Sequence, residues 1–160
     1  MRVLILKIMT YLPPQEILDK YADLMVNFCL WWGEWVKPWD VVELQWNEDT
    51  KPLFLATYRA ILKAGAHAVM TYIPNGSQSI FFEEANDDQI GFFPLEYRKG
   101  LYEIMDHRLR LYSEYDKFET TNVAPEKMMN RLKAFWPEKK MMFGKENTGE
   151  LSWSLCLYPS

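Results

Sequence analysis

The order of strand-like and helix-like stretches predicts an α/β domain: a mainly parallel sheet of about four strands with helices on both faces. Two observations carry this. β-rich runs alternate with segments of helical periodicity along all 160 residues. The intervening segments are long enough for right-handed crossovers, whereas hairpins would need only a few residues.

Each element has its own signal. Pro13 and Pro14 stiffen the start of an amphipathic helix in which Ile17, Leu18, Tyr21, Leu24, Met25, Phe28 and Cys29 recur at helical spacing. Glu16 and Lys20 support that helix as an i,i+4 pair. The run from Val41 to Trp46, bounded by turn residues, reads as a strand. Thr50 is placed to cap the next helix, Pro52 suits its first turn, and Gly65 can close it after Ala64. His67 to Ile73 reads as a buried strand stopped by Pro74-Asn75-Gly76, with short helical stretches around Ile80–Asn86 and Leu95–Met105. His107 to Ser113 is the third strand. Pro125 opens a helix whose stripe of Met128, Met129, Leu132 and Phe135 reads as core, and Pro137 ends that run. Leu151, Trp153, Leu155 and Leu157 alternate with Ser152, Ser154 and Cys156 in a last strand. The whole, residues 1–160, is a single Rossmann-like or flavodoxin-like domain without internal repeat or linker. A sheet that ends on a strand with no following helix reads as a fragment.

Composition narrows the function classes. With 49% hydrophobic and 25% charged residues the chain can bury a core without disulfides, which excludes disordered and disulfide-scaffold proteins. A net charge of −4 gathers no basic surface, so duplex nucleic acid is not an expected partner. The apolar run Val3 to Met9 is interrupted by Lys7 and is too short for a membrane span or a signal peptide, so a cytoplasmic location without membrane association is expected. Cys29 and Cys156 read as free thiols in a reducing compartment.

Candidate chemistry is sparse. His67 and His107 are the only histidines, each at the start of a strand, away from the carboxyl edge where α/β sheets hold ligands. Glu83, Glu84, Asp87 and Asp88 form an acidic cluster best read as a solvated helix end. No glycine-rich phosphate loop follows a strand, and no serine or cysteine has a nucleophile elbow or a local histidine partner. No catalytic, cofactor-binding or metal-ligating residue can be assigned from the sequence.

The tryptophans are the anomaly. Trp31, Trp32, Trp35 and Trp39 crowd the end of a helix and the turn before a strand. They could stack on carbohydrate or single-stranded nucleic acid. Yet a helix end favours glycine, and the third position of a Lys-Pro-x-Asp turn often needs a positive φ that Trp resists.

The run Leu12-Pro13-Pro14-Gln15-Glu16-Ile17-Leu18-Asp19-Lys20-Tyr21-Ala22-Asp23-Leu24 resembles the opening of the aminopeptidase T family of bacterial and archaeal metalloaminopeptidases. Further likeness lies in Val36-Lys37-Pro38 with Asp40-Val41-Val42, in Lys51-Pro52-Leu53 leading to Lys63-Ala64-Gly65-Ala66-His67, in Ser113-Glu114 with Asp116 and Ala124-Pro125-Glu126-Lys127, and in Trp153-Ser154-Leu155 with Leu157-Tyr158-Pro159. Residues 1–10 have no counterpart and suggest a misassigned start.

The resemblance implies an enzyme that removes N-terminal residues from peptides with two divalent metal ions (Zn, Co or Mg) and forms homodimers. It also implies that the Glu, His, Tyr and Asp ligands lie in a C-terminal domain absent from this chain. These 160 residues would then be the domain that walls the substrate cleft, inactive alone and exposing apolar surface where its partner domain packs. Where the family tends to have small residues, this chain has Trp31, Trp32, Trp35 and Trp39, as would follow if UGA codons specify glycine in the source lineage. Two other readings stand beside this one: a stand-alone module that binds through the Trp31–Trp39 cluster, and a natural single-domain relative acting as a regulatory or assembly partner.

Overall fold

A computed structural model describes residues 12–28, 35–113 and 118–159. The elements are α1 (Gln15–Asn27), β1 (Val41–Trp46), α2 (Lys51–Lys63), β2 (His67–Tyr72), α3 (Ser77–Glu84), α4 (Asp87–Gly91), α5 (Leu95–Ile104), β3 (His107–Ser113), α6 (Pro125–Ala134), α7 (Trp136–Asn147) and β4 (Ser152–Tyr158). The four strands form an all-parallel sheet in the order β2-β1-β3-β4. No helix among the described residues is long and apolar enough to cross a membrane.

Side chains alternate along each strand, so the sheet has two chemically different faces. On one face Val42, Leu44, Leu109 and Leu111 pack against Leu18, Ala22, Met25 and Val26 of α1 and Leu53, Phe54 and Ile61 of α2. Each large aliphatic side chain buried there contributes about 1.5–3 kcal/mol relative to exposure.

The opposite face is polar at its centre. Glu43 is fully buried and accepts hydrogen bonds from Arg108 Nε (2.5 Å), Thr71 Oγ1 (3.0 Å) and Gln45 Nε2 (3.1 Å). Arg108 also donates to the Tyr102 hydroxyl at 2.7 Å, and Glu138 of α7 lies 3.6 Å from Arg108 and 3.4 Å from Arg98. Burial pulls the Arg108 guanidinium down, but the Glu43 charge and the hydrogen bonds outweigh it and leave its pKa raised. Burial pushes the Tyr102 phenol up to about 12, with Arg108 opposing and Glu138 reinforcing. This network ties α5 and α7 to the sheet beside a small apolar cluster of Tyr102, Met105 and Leu151.

Several expectations need correction. Thr50 occupies the N-cap position of α2, but its hydroxyl makes no cap bond; it bonds the backbone of Asn47 and closes the β1–α2 turn. The buried stripe of α1 is Leu18, Ala22, Met25 and Val26, while Ile17, Tyr21, Leu24 and Phe28 are exposed, because α2 covers only one side of the helix. β2 is an edge strand with no fully buried residue. Pro137 does not end a helix but starts α7, since a proline in the first turn gives up only an N–H that would be unpaired anyway. The α6 stripe is not core: Met129 and Leu132 are each 52% exposed. In β4 it is Trp153, Leu155 and Leu157 that face outward and Ser152 that is buried, the reverse of what alternation suggests for a strand half covered by core.

Gly65 behaves as expected. Its φ of 79° ends α2 in the left-handed region, and a Cβ there would meet Pro38 Cβ at 3.3 Å.

Candidate functional site

The sheet topology marks the place to look. From β1 the chain moves outward to β2, and from β3 it moves the other way to β4, so connections diverge between β1 and β3. A crevice opens at the carboxyl ends of strands where this happens. Here it is a cavity of about 60 Å³ whose walls include Trp46 and Asn47 at the end of β1, Asn75 before α3 and Gln78 in its first turn, and Arg110 and Ser113 of β3.

A hydrogen-bonded rim holds these loops together. Asn47 Nδ2 donates to Ser113 Oγ at 2.8 Å, Ser113 Oγ donates to Asp49 Oδ2 at 3.0 Å, and Asn75 Nδ2 reaches the same Asp49 oxygen at 3.0 Å. Ser113 is buried, so its hydroxyl serves the rim and is not offered to a ligand. Glu48 accepts from the Tyr72 hydroxyl and from the Asn75 N–H. The tyrosine bond first, and the Asn75 N–H second, hold the Glu48 carboxyl below its usual range, and the bond to Glu48 pushes the Tyr72 phenol above its own. Gly76, with φ of 75°, turns the chain into α3.

Two charges line the cavity without pairing with one another. Arg110 is half-buried, and its guanidinium makes no hydrogen bond or ion pair among the described residues; its contact is the Tyr112 ring, 5.5 Å from the centroid. Glu119, also half-buried, accepts through Oε1 from the backbone N–H groups of Gln78 (3.0 Å) and Ser79 (3.1 Å) at the N-terminus of α3. Neither residue stood out in the sequence. Arg110 alternates with apolar neighbours like any strand residue, and Glu119 reaches α3 from about forty positions away in the chain.

Residues singled out from the sequence lie elsewhere. His107 sits at the amino edge of the sheet, between Asp40 (Nε2 to Oδ2, 2.9 Å) and Ser152 (Nδ1 to Oγ, 2.7 Å). The set has the composition of a catalytic triad, and the histidine partner of Ser152 lies 45 positions away, out of reach of a local motif. Ser152 is only 8% exposed and its N–H is bound to the Asp106 carbonyl, so the trio staples β1, β3 and β4 at their starts. His67 is exposed, with the Trp39 ring 5.7 Å away. Glu83, Glu84, Asp87 and Asp88 are all exposed; Asn86 caps α4 through a capping box with Gln89. Cys156 is half-buried, with its Sγ 3.9 Å from the Leu157 carbonyl, and Cys29 lies outside the described residues.

Trp31 and Trp32 also lie outside the described residues. Trp35 and Trp39 are 60% and 80% exposed. Trp39 has φ of 76°, alone among the described non-glycine residues in that region, at the third position of a turn closed by the Asp40 N–H to the Lys37 carbonyl at 3.2 Å. The turn needs the conformation that glycine adopts without cost.

A dimetal centre does not fit what is here. Among the described residues no three of His, Cys, Asp and Glu converge, and His107 is held by Asp40 and Ser152. No step through a metal is therefore assigned to these residues.

The comparisons agree with the architecture. The chain resembles a solved structure of wild-type AmpT from Thermus thermophilus with a TM-score of 0.74 at 15% identity, covering 91% of this chain and 36% of that one. It thus spans about a third of that relative's length. A LacI-family transcription regulation repressor from Corynebacterium glutamicum aligns over 88% of this chain and 60% of its own at 7% identity, with a TM-score of only 0.34, too low to carry an argument. No curated protein matches in sequence at a significant level. Residues 14–160 match the family described as thermophilic metalloprotease (M29), and the chain belongs to that family.

Proposed function

We propose that this chain is the N-terminal α/β domain of a metal-dependent aminopeptidase, walling the substrate cleft beside a catalytic domain that carries the two divalent ions (Zn, Co or Mg). Peptides are then the substrate, the assembled enzyme is a cytoplasmic homodimer, and the 160 residues alone are inactive. The observation that carries this is the family match over residues 14–160, joined to a fold likeness that takes up only 36% of the Thermus protein. One structural feature supports it. Large apolar side chains stand exposed on α1, α6 and β4, as on a domain surface that packs against another.

The test is hydrolysis of leucine p-nitroanilide by the purified chain with Zn, Co or Mg added. No turnover is expected. Turnover abolished by a chelator and restored by metal would overturn the cleft-wall reading.

The exposure of Trp35 and Trp39 favours a second reading, a module stacking carbohydrate or single-stranded nucleic acid on exposed indoles. Soluble glycan or oligonucleotide binding lost in Trp35→Ala would support that reading, and binding unaffected by the substitution would remove it.

A further inference from the structure

From Arg110 and Glu119, which line the crevice between β1 and β3 without pairing with one another, we infer a binding site for a small free α-amino acid, its carboxylate on Arg110 and its ammonium on Glu119. The ligand follows from charge and size. The half-buried Arg110 guanidinium has no carboxylate partner among the described residues, and guanidinium binds carboxylates through paired N–H donors. Glu119 spends one oxygen on the α3 N–H groups, and its Oε2 makes no hydrogen bond among the described residues.

A simple anion would satisfy Arg110 and be repelled by Glu119, and a simple cation would do the reverse. A zwitterion satisfies both. The crevice, about 60 Å³ and open to solvent, has room for a small ligand. Asn47, Asn75 and Gln78 supply neutral polar walls, and the Tyr112 ring keeps the Arg110 head at the cavity. The position, at the carboxyl edge where the crossovers diverge, is the one at which this class of sheet holds small ligands.

The inference rests on the proposed function for its biological sense, since a free amino acid is what an aminopeptidase releases. The site would then sense or retain product on the domain that walls the cleft. Its test does not depend on catalysis.

The ¹⁵N-labelled chain is titrated with L-alanine, and the amides of Gln78 and Ser79 and the Arg110 Nε–H are followed by NMR. Saturable shifts in the millimolar range are expected. Acetate, with the carboxylate alone, and methylammonium, with the amine alone, should each bind roughly ten-fold more weakly or worse, because each leaves one charge unmatched. Glu119→Gln keeps an oxygen for the Gln78 and Ser79 N–H groups and removes only the charge, so α3 stays capped while alanine affinity falls roughly ten-fold. Arg110→Gln should lose binding to a similar extent, and Arg110→Lys should restore much of it.

Acetate binding as tightly as alanine, alanine producing no shift at about 0.1 M, or undiminished binding in Arg110→Gln would each overturn the inference. Failure of the hydrolysis experiment leaves this titration standing, and failure here leaves the cleft-wall reading standing.

Discussion

Trp39 is where sequence and backbone disagree most sharply, and the disagreement can be measured. Its φ of 76° places a bulky L-residue in the left-handed region, at a cost of about 1–2 kcal/mol. The conformation is imposed from both sides. Pro38 presets the preceding residue, the Asp40 N–H closes onto the Lys37 carbonyl at 3.2 Å, the Lys37 N–H returns to Asp40 Oδ2 at 2.6 Å, and the Trp39 N–H is bound to the Gly65 carbonyl at 3.0 Å. The indole returns little, being 80% exposed with one tilted contact to His67. Replacing Trp39 by glycine removes the strain but adds about 0.5–1 kcal/mol of unfolded-state entropy.

The informative comparison is therefore Trp39→Gly against Trp39→Ala, since both delete the indole and only glycine accepts the φ. Subtracting the entropy from the strain leaves glycine ahead by about 1 kcal/mol, or ~2–4 °C in Tm for a chain of this length. Urea unfolding followed by circular dichroism, with equal slopes for the two variants, reads the difference directly. Alanine equal to or better than glycine would refute the positive φ. The gene gives an independent check: UGG codons at Trp31, Trp32, Trp35 and Trp39 would end the idea that glycine was specified there.

Two further predictions concern the polar face of the sheet. Glu43→Leu takes from the Arg108 guanidinium, 11% exposed, the nearer of its two carboxylates, leaving Glu138 at 3.6 Å, and should cost about 1.5–3 kcal/mol, whereas Glu43→Leu with Arg108→Met should recover most of the loss; a double variant as unstable as the single by urea unfolding would show that the pair is not what matters. Tyr102 titrates near 12 in the folded chain and near 10 when unfolded, so the folded state holds its proton longer. Stability from this group is complete below about pH 10 and is lost as pH rises towards 12, by ~2–3 kcal/mol in total. Tyr102→Phe should remove that alkaline slope and the latest-titrating step in absorbance at 295 nm; an unchanged late step would assign it to another tyrosine.

Much of the fold was legible because its signals are local. Pro52 and Gly65 bracket α2, Asn75-Gly76 ends β2 and starts α3, and the apolar runs of β1 and β3 stand between turn residues, all where the structure has them. Pro137 misled because proline stops a helix and starts one equally well, and only the seating of α7 over Arg108 and Tyr102 distinguishes the two. The outward Trp153, Leu155 and Leu157 misled because alternation reports a face and not what covers it. The crevice was not legible at all. Arg110, Asn47, Asn75 and Glu119 belong to four different segments, and none carries a motif.

The sequence by itself determined the α/β class, the order of the elements and the strained turn at Trp39, since periodicity, capping and φ preference act over a few residues. It also carried enough family likeness to place the chain among the metallopeptidases. The tertiary structure alone decided that Glu43 and Arg108 meet, that His107 serves Asp40 and Ser152, and that Arg110 and Glu119 share a cavity without sharing a bond. These pairings depend on strand register and crossover direction. Both are set by how whole faces bury against one another, and no short stretch of sequence encodes that.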